Sequence, residues 1–128
     1  MKIEEIAAFW KKSGQLDRKT AEDLFRSKNY VGSLFFIHLF LEKILKGVVQ
    51  QKTEKSPPFT HDLLILCKLA NLALTKEQEG QLATINTFNI RARYADYKFS
   101  FYKKATKSYT QRYLNLAKEL EAWFSNQY

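Results

Sequence analysis

"SLFFIHLFLEKILKGVVQ", residues 33–50, decides the fold class. A half-buried strand would alternate apolar and polar side chains, and a surface helix would keep one polar side. This run does neither. It predicts a long helix over about 30–51 that is either central to a bundle or buries a second face against another chain. His38, Glu42, Lys43 and Lys46 interrupt the apolar run and exclude a membrane span. Gly47 is tolerated inside the helix at some cost, and Gly32 marks a place where it could kink.

Upstream, Ile3, Ile6, Ala7 and Trp10 share one face of a helix over about 3–12, which Gly14 is expected to end. Asp17 then caps a second helix with Ala21, Leu24 and Phe25 as its apolar stripe. Downstream, Pro57 and Pro58 break the chain, and Thr60 caps a helix over about 61–72. Thr75 starts another, with Leu82, Ile85, Phe88 and Ala92 inward. A last helix runs from Lys103 or Lys107 to Asn126, with Tyr109, Tyr113, Leu116, Leu120 and Trp123 or Phe124 along one side. The expected fold is all-α, an antiparallel up-and-down bundle of five to six helices, with residues 1–128 forming one domain.

Composition narrows the function. The chain has 128 residues and a formal net charge of +8. Most of that excess lies between Asn86 and Tyr113, where Arg91, Arg93, Lys98, Lys103, Lys104, Lys107 and Arg112 face Asp96 alone. Such a segment favours anionic partners. With two histidines, one cysteine and no Gly-rich phosphate loop, the chain carries no signature for a metal centre, a cofactor or a nucleophilic triad. The lone Cys67 reads as a small buried hydrophobe in a reducing cytoplasm. The N-terminal MKIEEIAAFW has acids where an export signal would be basic, so a cytoplasmic location is expected.

Two constellations could bind or react. His38, Glu42 and Lys46 lie at i, i+4 and i+8, which predicts a solvent-facing strip with Glu42 and Lys46 paired. The sharper alternative is a polar line facing a cleft, with Glu42 neutralising an arginine from a neighbouring helix. His61, near a helix start, caps or hydrogen-bonds locally, and the helix dipole there favours its neutral form. The second constellation is "FNIRARYADYKFSFYKKATKSY", residues 88–109. Asn89 and Arg93 fall on one helix face with Arg91 on the flank, and guanidinium forks suit phosphate oxygens. Tyr94, Tyr97, Tyr102 and Tyr109 offer stacking rings, and Lys103 adds charge. Phe88, Phe99 and Phe101 are expected in the core.

Taken in order, "SLFFIHLFLEKILKGVV", "THDLLILCKLANL" and "FNIRARYADYKFSFYKKAT" resemble the higher-eukaryote and prokaryote nucleotide-binding (HEPN) domain, in its bacterial branch with an R-Y-P-D-like turn. The resemblance covers about 21–124 and rests on "LEKxLK", "THDL" and "RxRYxDY" together. It implies a helical bundle that dimerises through its long helices. It also implies a nucleotide or RNA ligand, and a minimal nucleotidyltransferase partner in a toxin–antitoxin-like pair. Arg91 and Arg93 would then hold phosphate, Tyr94 or Tyr97 would stack, and Asp96 would orient an arginine or accept from a base or ribose hydroxyl. Many such domains are metal-independent ribonucleases built on an arginine followed shortly by a histidine. Here the window after Arg91 and Arg93 holds Asp96, Tyr97, Lys98, Phe99 and Ser100, none of them histidine, and Ala95 replaces the proline. Binding without catalysis is therefore the expectation. Its rivals are a rewired ribonuclease using His61 or Tyr97 and a purely structural interaction partner.

Overall fold

The computed structural model describes residues 2–128. Six helices are described: α1 Ile3–Arg26, α2 Tyr30–Thr53, α3 Leu63–Leu69, α4 Lys76–Arg93, α5 Ser100–Lys104 and α6 Lys107–Ser125. No strand accompanies them among the described residues. The architecture is the expected antiparallel helical bundle.

α2 is its axis. α1 packs along it most extensively, and α6, α4 and α3 cover its other sides. Leu34, Ile37, Phe40, Leu41, Ile44 and Leu45 are all fully buried, each worth about 2 kcal/mol of burial. The all-round apolarity of residues 33–50 is thus satisfied within the protomer. Gly32 does not kink α2; its N–H donates to the Asn29 side chain, which caps the helix.

The expected break at Gly14 is absent, and α1 runs through it. A Cβ at Gly14 would lie 2.8 Å from Ile44 Cδ1 and 3.1 Å from the Phe40 carbonyl oxygen. The glycine lets α1 approach α2 closely, and that packing outweighs its propensity cost of about 1 kcal/mol. Asp17, expected as a cap, lies mid-helix and pairs with Lys43 at 2.7 Å.

The α3 cap also moves. Asp62, not Thr60, accepts from the Leu64 N–H at 2.9 Å, and the helix closes at Leu69. Thr75 caps α4 through a capping box with Gln78. Of the two expected starts of the last helix, Lys107 holds and Lys103 does not: α5 ends at Lys104, and Thr106 caps α6. Phe88 anchors both to α4, its ring centroid 5.8 Å from Phe101, 6.2 Å from Tyr109 and 5.1 Å from Tyr113. Burial pushes the Tyr109 phenol up to about 12. Phe99, expected in the core, is instead exposed, in a left-handed turn at φ 52° just before α5. No described helix is long and apolar enough to cross a membrane.

Candidate functional site

The polar line on α2 is not solvated. His38 is fully buried, and Glu42 and Lys46 are also buried. The expected solvent strip is therefore wrong, because α1, α4 and the loop before α3 enclose that side of α2. Nor does Glu42 meet an arginine. Its Oε2 accepts from Lys46 Nζ at 3.1 Å, and its Oε1 accepts from His61 Nδ1 at 2.8 Å. Lys46 in turn lies 5.6 Å from the Trp10 ring centroid. The result is a buried carboxylate shared between an ammonium and the imidazole of a largely exposed His61.

That imidazole opens onto a cleft between the start of α3 and the end of α4. The cleft holds about 260 Å³ and is lined by His61, Asp62, Asn86, Asn89, Ile90 and Arg93. Asn86, Asn89 and Arg93 share one face of α4 at helical spacing. Asn86 is fixed, accepting from the Leu63 N–H at 2.9 Å and donating to Asp62 Oδ1 at 2.9 Å. Arg93 is fixed too: its Nε donates to the Asn89 carbonyl at 3.1 Å, and Nη2 donates to Asn89 Oδ1. Behind them, His38 Nε2 donates to the His61 carbonyl at 2.7 Å, and its Nδ1 accepts from Asn89 Nδ2 at 3.3 Å. Burial, the largest influence, pushes the His38 pKa below its ordinary value, against the hydrogen bond to the His61 carbonyl and the charge of Glu42.

Arg91 points elsewhere. With Tyr94, Asp96, Ser100 and Phe101 it lines a second hollow of about 240 Å³. Asp96 Oδ1 accepts from the Ser100 N–H at 2.7 Å, and this bond holds the Asp96 carboxyl below the usual carboxylate range. The Arg93 guanidinium carbon lies 5.5 Å from the Tyr94 ring centroid. Tyr97 and Lys103 are exposed and line neither hollow. The residues expected to converge are thus divided: Asn89 and Arg93 on one side of the α4 end, Arg91, Tyr94 and Asp96 on the other. A larger hollow, about 400 Å³, lies beside the α1–α2 turn at Lys28, Tyr30 and Tyr102. None of its lining side chains bonds to a buried ionisable group, whereas His61 of the smaller cleft bonds to Glu42, so the chemistry concentrates at the smaller cleft.

A comparison with protein families matches residues 7–127 to the HEPN domain. The chain belongs to the HEPN domain family. That match covers the bundle from α1 to the end of α6 and so includes both hollows. Among curated proteins and among solved structures, no significant match was found. Membership in the HEPN family points to a nucleotide- or RNA-related function.

Three cleft residues of this HEPN domain are not singled out from the sequence. Asp62 lies within the THDL motif without being assigned to the site, and Asn86 and Ile90 carry no charge run or motif of their own. The spacing of Asn86 to Asn89 and Arg93 could have found the shared face. Burial of His38 has no local signal, because it follows from the docking of α4 and the loop before α3.

Proposed function

We propose that this HEPN domain binds a nucleotide or RNA at the end of α4, with Arg93 holding a phosphate over the α3–α4 cleft. The supporting observation is the fixed guanidinium: Asn89 engages Nε and Nη2, which leaves the other Nη donors for a phosphate fork. Arg91 holds a neighbouring phosphate in the second hollow, and Lys103 adds charge to that side. Tyr94 and Tyr97, both exposed, supply stacking faces. Asp96 serves first as the acceptor that starts α5 and only through Arg91 as a ligand-orienting group. The test is binding of a short fluorescent single-stranded RNA, and of ATP and GTP as competitors, across a salt series. Affinity should fall steeply with salt, and more gently once Arg91→Ala and Arg93→Ala are combined, by about 0.7 in log–log slope per lost phosphate contact. Unchanged affinity in the double variant would exclude these residues.

A second reading is favoured by one contact. His61 Nδ1 donates to the buried Glu42 carboxylate, which orients the ring and makes Nε2 the one ring nitrogen able to accept a proton beside Arg93. A carboxylate-oriented imidazole beside a phosphate-holding arginine can remove the proton from a ribose 2′-hydroxyl without metal. RNA cleavage in EDTA that His61→Ala and Arg93→Ala each abolish would establish it; intact RNA at high protein concentration would exclude it.

As a further part of the proposal, the domain works with a minimal nucleotidyltransferase in a toxin–antitoxin-like pair. The basic segment after Arg91 is the face suited to such a partner. Co-purification from co-expressed genes tests this, and loss of the complex in a Lys98→Glu and Lys103→Glu variant is expected. A homodimer would use the exposed apolar Ile65, Leu69 and Ile90 rather than the enclosed α2.

A further inference from the structure

His38 takes no part in the ligand contacts proposed above, yet it touches both walls of the cleft. On one side its Nε2–H donates to the carbonyl of His61. On the other its Nδ1 accepts from Asn89, whose two oxygens hold Arg93. The direction of each bond is forced. A carbonyl only accepts, so the Nε2 proton is committed, and Nδ1 must then be the acceptor in a neutral ring. The Asn89 amide is in turn oriented with nitrogen to His38 and oxygen to Arg93.

Resting on the reading of the cleft as an anion site, we propose that neutral His38 is its positioning residue, tying the His61 loop to Asn89 and Arg93, so that ligand capture requires an uncharged His38. A second proton on Nδ1 would face the Asn89 NH2. The amide would have to turn, placing its nitrogen against Arg93 Nη2 and removing the side-chain acceptor that holds the guanidinium. The titratable and charged groups facing the ring are Glu42 from its own helix, His61 from the loop and Arg93 from α4. Glu42 favours the imidazolium, whereas His61, Arg93 and, above all, burial oppose it. The neutral form therefore prevails near pH 7, and the arrangement fails on the acid side. This direction is distinctive, because affinity of a basic protein for a polyanion ordinarily rises as pH falls.

The experiment is anisotropy with a short fluorescent single-stranded RNA between about pH 7.5 and about pH 5, paired with NMR hydrogen exchange of the Arg93 Nε–H in the ligand-free protein. Wild-type protein should lose affinity at the acid end. His38→Asn sets an oxygen near the Nδ1 position and cannot titrate there; it gives up the Nε2–H bond to the His61 carbonyl, so it should weaken neutral-pH binding by about threefold and abolish the acid loss. His38→Leu should weaken binding about tenfold at neutral pH and speed Arg93 Nε–H exchange. Unchanged exchange in His38→Leu, or an acid loss that persists in His38→Asn, overturns the proposal. Should His38→Leu fail to fold, the comparison of wild type with His38→Asn decides. If no RNA binds while exchange responds to His38→Leu, the cleft is not an RNA site but the positioning role stands. If RNA binds while exchange does not respond, the anion site stands and His38 does not position it.

Discussion

Arg91 and Arg93 are two residues apart on a helix, and that spacing sends them to different hollows. Only Arg93 is braced through its backbone-linked neighbour Asn89 to a buried histidine. The same scale explains Glu42, a carboxylate held inside the bundle by Lys46 and His61. Glu42→Gln leaves the Lys46 ammonium buried without its counter-charge, and breaking such a pair costs about 3 kcal/mol. A lowered urea midpoint should show this, and adding Lys46→Met should recover much of the loss. Capping acts similarly at α3: Asp62→Ala removes the acceptor for the Leu64 N–H and for Asn86. It should cost about 1–2 kcal/mol and loosen the cleft wall. Residue chemistry was partly legible. Arg93, Asn89 and the pairing of Glu42 with Lys46 follow from spacing alone. The burial of His38 and Glu42 does not, since a polar stripe on an apolar helix reads the same whether water or another helix covers it.

At the scale of elements, glycine misleads where packing overrides propensity. Gly14 is a stop signal by local rules, yet α1 passes through it because Ile44 and Phe40 of α2 occupy the space a methyl would need. Gly14→Ala meets a backbone oxygen that cannot yield, so it should destabilise by about 1–3 kcal/mol despite alanine's better propensity. Gly47 presents the contrast. A Cβ there would meet the Tyr128 hydroxyl, which donates to the Ile44 carbonyl at 2.6 Å. The atoms met there belong to the tip of the Tyr128 side chain rather than to backbone, so they can swing aside, and Gly47→Ala loses that bond but gains helix propensity. Thermal melts should place it well above Gly14→Ala in stability. Long helices with clear apolar runs, α2 and α4, were legible. The turn that opens α5 was not, because it rests on Phe99 adopting positive φ, which no glycine announces.

Across the whole molecule, charge and pH link the fold to its task. The unfolded chain protonates His38 near its ordinary value of 6.5, whereas in the fold that pKa is lowered. The stability it contributes is thus full above about pH 6.5 and is lost as pH falls through the folded value. Melting midpoints should decline over that window in wild type and less in His38→Asn. The basic segment from Arg91 to Arg112 raises the field over one end of the bundle, so any cation there contributes something to binding a polyanion. What separates a site from a merely positive surface is a pair of variants with the same charge change. Arg112 belongs to the same segment but stacks at 5.3 Å on Tyr113, away from both hollows. Anisotropy with single-stranded RNA should show Arg93→Ala weakening binding by about tenfold or more, as losing a charge-assisted phosphate bond does, with Arg112→Ala changing it by less than about twofold. Equal losses from the two variants would contradict the cleft and leave only diffuse attraction.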